Sequence, residues 1–212
     1  MAYDLEEQEQ IATLKAFWNQ YGNFILTLIT IILLAIAGWR GWGWYQSRQA
    51  AEASAVYEQL KAAAQAKDAA KVKDAAGTLF EKFGGTAYGQ MGALLAAKAY
   101  HDAGDDKAAK APLQWAVEKA QDEEFRQLAR VRLAGILLDE KAYDKALELL
   151  PMESAGRFAG EFADRRGDVM LAQGKRDDAR AAYKLALEKL DERSPMRRLV
   201  QLKLDALGGV GS

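Results

Sequence analysis

Hydrophobic and polar positions alternate along this chain in two different ways. From Tyr21 to Tyr45 (YGNFILTLITIILLAIAGWRGWGWY) the apolar positions run on with no polar face: Phe24 to Trp39 carry no charge, and only Thr27 and Thr30 bear hydroxyls. Beyond Tyr45 apolar residues recur at helical spacing, in segments separated by short polar interruptions. At a rise of about 1.5 Å per residue the uncharged run is roughly 24 Å long. The flanking aromatic and glycine residues would complete a bilayer core of about 30 Å. Trp18 and Tyr21 precede the run, and Trp39, Trp42, Trp44 and Tyr45 follow it. Such rings collect at headgroup level because the indole N–H and phenol O–H stay wet while the ring is buried. Arg40 can snorkel outward along the last turn.

Three readings compete for this stretch. A buried core helix would show a polar face, and none is present. A cleaved signal peptide finds support in the small-x-small Ala35-Ile36-Ala37. Its leader would be long and acidic, however, with Asp4, Glu6, Glu7 and Glu9 against Lys15, and the cut would leave the interfacial Gly38-Trp39-Arg40-Gly41-Trp42-Gly43-Trp44 at the new end. The balance falls on an uncleaved single-pass anchor. Ahead of it, residues 1–20 form a short acidic tail with Ile11, Leu14, Phe17 and Trp18 at helical spacing, read as an amphipathic approach to the membrane surface or as a docking tail. The pair Ala37 and Gly41 is small-xxx-small, a pattern that lets a second membrane helix approach.

After the anchor, helix formers dominate, prolines are few (Pro112, Pro151, Pro195), and no period-2 strand run occurs. The interruptions at Gly84-Gly85, Ala103 to Asp106, Glu140-Lys141, Gln173 to Lys175 and Glu192 to Ser194 separate helices of ten to fifteen residues into antiparallel pairs. The fold expected is all-α: a tail (1–20), an anchor (21–45), a helical repeat domain (46–207) and a frayed GGVGS tail (208–212). Residues 195–206 read as a last helix with Ser194 as N-cap, Pro195 at N1, and Leu199, Leu202, Leu204 and Leu207 as its apolar residues.

Internal repetition organises this domain. Ala109, Ala146 and Ala179 each lie one turn into a new helix, followed four residues on by Leu113, Leu150 and Tyr183; Ala75 with Leu79 is a weaker copy. These alanines are 34, 37 and 33 residues apart, close to the period of a tetratricopeptide (TPR) repeat, about 34 residues. Twelve positions before each stands a small residue (Ala63, Ala97, Ala134, Gly167), and three after that come Ala66, Tyr100, Leu137 and Met170. Ala116 and Ala186 follow the alanine by seven. Small residues let paired helices cross closely and large ones seal the gap to the next pair. The match is degenerate, lacking the early tryptophan and the regular closing proline, and an alanine-rich bundle could imitate it.

Composition narrows the function classes. After Tyr45 the chain keeps 27 of its 29 basic and 26 of its 30 acidic residues, so it lacks the one-signed surface that nucleic acid requires. Zero cysteines exclude disulfides, thiol nucleophiles and Cys-ligated metals. His101 stands alone at a helix end, with no second histidine to share a metal. Asp105-Asp106, Glu123-Glu124 and Asp177-Asp178 lie where acids cap helices, without the ligand pattern of a calcium loop. Gly84-Gly85 is not followed by GK[ST]. No catalytic, cofactor or metal site is expected, and a membrane-tethered helical array points to binding of protein segments.

The acidic tail and single anchor, Gly38-Trp39-Arg40, Thr86-Ala87-Tyr88-Gly89, Leu133-Ala134 and, most distinctively, Ala163-Asp164-Arg165-Arg166-Gly167-Asp168 running on to Gly174 and Ala179-Arg180 resemble the YfgM family. These are bacterial inner-membrane proteins, ancillary subunits of the Sec translocon. The resemblance spans the chain. It implies a cytoplasmic N-terminus, a periplasmic TPR-like domain, association with SecYEG and the membrane-anchored chaperone PpiD, and help for newly translocated segments. The charges beside the span lean the other way, with Lys15 before it against Arg40 and Arg48 after it. Taken alone they favour a cytoplasm-facing TPR adaptor.

Overall fold

The structure, a computed structural model, describes residues 2–208, with side chains from Glu7 onward. All of the expected C-terminal tail except Gly208 lies outside the described residues. The chain divides into two compact units, residues 1–49 and 50–212, and helix α1 (Ala2–Gln65) supplies the whole described part of the first and the beginning of the second. Among the described residues α1 is the one helix long and apolar enough to cross a membrane by length and composition.

In the first unit Gly38, Gly41 and Gly43 do not interrupt the helix. The hydroxyls of Thr27 and Thr30 donate to the carbonyls of Asn23 (2.7 Å) and Leu26 (2.8 Å), which satisfies them without water. The indole of Trp18 lies along the helix over Gly22, 3.2 Å from where a Cβ would stand. Trp18, Tyr21, Trp39, Trp42, Trp44 and Tyr45 all point outward, Trp39 the most exposed at 80%. Arg40 is exposed as well.

In the second unit the remaining helices follow in chain order: α2 (Ala69–Phe83), α3 (Ala87–Asp102), α4 (Asp106–Lys119), α5 (Glu123–Asp139), α6 (Tyr143–Glu148), α7 (Ala159–Ala172), α8 (Arg176–Lys189) and α9 (Met196–Ala206). Successive helices pack on one another, and α5 also packs on α7. Each start has a polar cap where the sequence offers one. Asp68, Thr86, Asp105 and Asp122 accept backbone N–H groups of Lys71 (3.1 Å), Gly89 (3.2 Å), Ala108 (2.9 Å) and Glu124 (2.8 Å), contacts worth about 1 kcal/mol each.

The repeat register is fixed by how the first helix of each pair ends. Lys67, Gly104, Lys141 and Gly174 all adopt positive φ, between 55° and 78°. The next residue's N–H donates back to Ala63 (3.0 Å), Tyr100 (2.9 Å), Leu137 (2.8 Å) and Met170 (2.9 Å) respectively, the six-residue closure of a Schellman motif. Five residues past each positive-φ position stand the buried Val72, Ala109, Ala146 and Ala179. The buried stripe Val72-Ala76-Leu79-Phe83 of α2 then matches Ala109-Leu113-Ala116-Ala120 of α4 and Ala179-Tyr183-Ala186-Leu190 of α8. The first copy read from Ala75, Ala63 and Ala66 is therefore displaced by three residues. Ala75 is only half-buried and Ala66 lies exposed beyond α1; alanine frequency masked a valine at the repeat position.

Other boundaries also differ. The break between α4 and α5 contains neither Gly nor Pro: Ala120 turns extended (φ −60°, ψ 129°) and Asp122 caps the next helix. Helix α6 has only 6 residues, cut short before Pro151, and two 3₁₀ turns (Met152–Ser154, Gly156–Phe158) lead into α7. Pro195 occupies the cap position of α9 in helical conformation, while the hydroxyl of Ser194 accepts from Met196 N–H at 3.3 Å. The core-facing residues of α9 are Val200, Leu204 and Leu207; Leu199 (51%) and Leu202 (59%) face outward. The expected 199/202 stripe lies about 100–160° away from the buried one at 100° per residue.

Candidate functional site

A cleft of about 360 Å³ opens between α3, α4, α5 and α7, floored by Ala97, Leu113 and Ile136 and walled by charged side chains. Lys98, His101 and Asp102 come from α3, Arg132 and Asp139 from α5, and Arg165 from α7. Several of these charges already have partners. Lys98 Nζ holds Asp102 Oδ2 at 2.6 Å, and His101 Nδ1 lies 2.5 Å from Asp106 Oδ1. The arginines are less completed. Arg132 donates to the carbonyl of Leu94 at 3.3 Å and, among the described residues, has no carboxylate partner. Burial of this guanidinium depresses its pKa below the ordinary arginine value. Arg165 donates to Asp168 at 3.2 Å, yet its Nε is buried with no acceptor. Its guanidinium lies over Gly135, 3.5 Å from where a Cβ would stand, one turn along α5 from Arg132.

The opposite side of α7 is built from the same six-residue run, Ala163 to Asp168, and is closed by α9. Asp164, 3% exposed, accepts from Lys203 Nζ at 2.8 Å, and the same ammonium lies 2.7 Å from Asp168. Tyr183 of α8 donates its hydroxyl to Asp168 at 2.9 Å, with Lys203 Nζ 5.6 Å from the centre of its ring. Gly167 makes room for that ring: a Cβ there would stand 2.5 Å from it. Arg166 donates to the carbonyl of Leu150 at 3.1 Å. Burial raises the Asp164 carboxyl above its ordinary value while the Lys203 hydrogen bond opposes the rise. Burial first, then Asp168, pushes the Tyr183 phenol above its ordinary range, so it remains a donor. The distinctive motif is thus a clamp that fastens the last helix.

The repeat residues named from sequence fall into the second unit's core or its edge. Ala97, Ala109, Leu113, Ala116, Ala134, Ala146, Leu150, Gly167, Ala179, Tyr183 and Ala186 are buried, while Tyr100, Leu137 and Met170 are partly buried. Full burial of a Leu-sized side chain contributes about 1.5–3 kcal/mol.

Sequence reading passed over two residues that tie the pairs together. Gln90 Oε1 accepts from Asp122 N–H at 2.9 Å, and Gln127 Nε2 donates to Ser154 O at 2.8 Å. Both are buried, and they stand 37 residues apart, one repeat, which was their visible signal. It also passed over the cleft's basic positions. Arg132 and Arg165 are 33 residues apart, each two positions before its repeat's small residue (Ala134, Gly167), a repeated cation that a balanced charge total conceals.

A helical array with one candidate membrane-spanning helix among the described residues and the same closure recurring on every first helix defines a TPR-like repeat protein, and the family described as tetratricopeptide repeat-like domain matches residues 15–209. Within that class, the chain belongs to the family of ancillary SecYEG translocon subunits, the YfgM family. It is 33% identical over 211 residues to the ancillary SecYEG translocon subunit of Neisseria gonorrhoeae, covering 98% of this chain and 100% of that one. It is 30% identical to the protein of that name from Haemophilus influenzae (88% and 91% covered) and 26% identical to that from Escherichia coli (95% and 96% covered). No solved structure matches the chain.

Proposed function

We propose that this protein is a non-enzymatic, membrane-tethered scaffold that attaches to the SecYEG translocon and links export to periplasmic chaperones. The observation that carries the reading is end-to-end similarity to proteins named as ancillary subunits of that translocon, at 33% identity over 98% of the chain. In this reading residues 21–45 anchor the chain, with Trp18 and Tyr21 at one headgroup level and Trp39, Arg40, Trp42, Trp44 and Tyr45 at the other. Residues 46–207 face the periplasm as a binding array. Its partners are membrane lipid, SecYEG, a membrane-anchored chaperone of the PpiD type, and newly translocated segments.

Removal of residues 1–45 is expected to leave a folded helical domain that no longer co-purifies with SecYEG. Undiminished co-purification of that fragment would mean that the anchor does not dock. A second reading, a cytoplasm-facing adaptor, is favoured by one observation: Lys15 precedes the span, whereas Arg40 and Arg48 follow it. Because the chain has no cysteine, a single Ser212→Cys substitution separates the two. Labelling of intact cells by an impermeant maleimide supports the translocon reading; labelling only after permeabilisation supports the adaptor.

A further inference from the structure

Resting on the scaffold reading, we propose that the cleft between α3, α5 and α7 recognises acidic segments of a protein partner, with Arg132 and Arg165 reading their carboxylates. The two guanidiniums come from successive repeats and converge on one cleft beside Gly135. Each retains donors that the fold does not satisfy. Among the described residues Arg132 gives one N–H to a backbone carbonyl and has no carboxylate partner, and the Nε of Arg165 is buried without an acceptor. Arg132 is exposed at the cleft with a backbone carbonyl as its hydrogen-bond partner, and a planar guanidinium fork of this kind matches a carboxylate in two parallel hydrogen bonds.

The acids in the cleft do not meet this need. Asp102 is held by Lys98 at 2.6 Å. Asp139 is two turns beyond Arg132 on α5, and Asp168, outside the cleft lining, takes one N–H of Arg165 at 3.2 Å while it is also held by Lys203 at 2.7 Å, which leaves the Arg165 Nε without an acceptor. The apolar floor of Ala97, Leu113 and Ile136 adds a requirement that a free anion cannot meet. A peptide in which acidic side chains alternate with apolar ones presents both. Lys98 of α3 lines the same cleft, its ammonium paired with Asp102.

The test uses the full chain in phosphatidylcholine nanodiscs and two fluorescein-labelled peptides, one of alternating Glu and Leu, the other with Gln in place of each Glu. Anisotropy is expected to show the acidic peptide binding at least about tenfold tighter than its amide counterpart, an advantage that shrinks with added salt. Arg132→Gln is expected to weaken the acidic peptide by roughly tenfold, while Arg132→Glu reverses the preference toward a Lys-Leu peptide. Among the described residues Arg132 hydrogen-bonds a backbone carbonyl and pairs with no carboxylate, and it is exposed, so both variants are expected to keep the wild-type circular dichroism. Arg165→Gln provides a second reading, taken only if its circular dichroism and urea midpoint match wild type, because Arg165 also pairs with Asp168.

Equal affinity for the two peptides overturns the proposal, as does wild-type binding by both Gln variants. Full displacement of the acidic peptide by equimolar inorganic phosphate also overturns it, by marking a small-anion site. Co-purification of the unmodified chain with SecYEG is measured in parallel. Its absence counts against the scaffold reading whatever the peptides do, whereas charge-blind peptide binding alongside intact co-purification counts against the cleft alone.

Discussion

The two sides of helix α7 use one short sequence for opposite ends. Toward α9, Asp164 and Asp168 are met by Lys203 and Tyr183 at distances of 2.7 to 2.9 Å, and every charge has a partner supplied by the fold. Toward the cleft, Arg165 pairs with Asp168 yet keeps a buried Nε without an acceptor, and Arg132 on the neighbouring α5 has no carboxylate partner among the described residues. The difference distinguishes two reasons for placing charge inside a helical array. A network closed within the chain specifies how the last helix docks, and its members matter to stability. A charge left open toward a cleft costs the chain some stability and matters to what enters.

Lys203→Met strikes hardest at the closed side. It leaves Asp164 buried without its counter-charge, and a loss of about 3 kcal/mol is expected in urea unfolding followed by circular dichroism. The pH dependence gives its signature. The folded-state pKa of Asp164 is raised above the ordinary carboxylate value, burial being the main cause. Between those two values the folded chain binds more protons than the unfolded one, so stability falls as pH rises through the window. Removing Lys203 takes away what holds this pKa down and widens the window upward. The deficit of the variant is therefore expected to be largest at neutral pH and to shrink as the pH is lowered toward the ordinary carboxylate range. A pH-independent deficit would mean that Asp164 is not the group left exposed to burial. Gly167→Ala comes next, at about 2 kcal/mol, because the new methyl would stand 2.5 Å from the Tyr183 ring and overpacking outweighs the gain in helix propensity. An unchanged urea midpoint for this variant would show that the ring has room to shift.

The contrast also explains how much of the molecule could be read from sequence. Helices, their pairing and the long apolar span were legible because they depend on composition and period, which a run such as Phe24 to Trp39 or the trio Ala109, Ala146 and Ala179 displays directly. The first repeat was misplaced because its position holds Val72 while alanines crowd the neighbouring positions, so the small-residue signal locked on three residues late. The last helix's apolar residues were only half placed, because leucines stand on both faces, Leu204 and Leu207 inside and Leu199 and Leu202 outside. The cleft was missed for another reason. Whether a charged residue is satisfied is a property of its neighbours in space, and Arg165 and Arg166 are adjacent in sequence yet end in a cleft and on the carbonyl of Leu150 respectively.

Smaller effects sharpen the same contrast. Tyr183→Phe removes one donor from Asp168 but leaves Lys203 and Arg165 in place. About 1 kcal/mol of destabilisation is expected in the same urea experiment, and a loss as large as that of Lys203→Met would show that the phenol, rather than the ammonium, holds α9.

Arg132→Gln should have the smallest effect on stability and an outsized one on binding. Among the described residues its hydrogen bonding is the 3.3 Å contact to Leu94 O, which a glutamine amide can replace in part, and the substitution removes a guanidinium whose partial burial disfavours its charge. The urea midpoint is therefore expected to stay within about 0.5 kcal/mol of wild type, with a shift in either direction allowed by those opposing terms. Stability that drops by as much as for Tyr183→Phe would place Arg132 among the structural charges and dissolve the distinction between the two sides of the array. Near-neutral stability together with loss of the acidic peptide would instead mark Arg132 as a residue kept for what it binds.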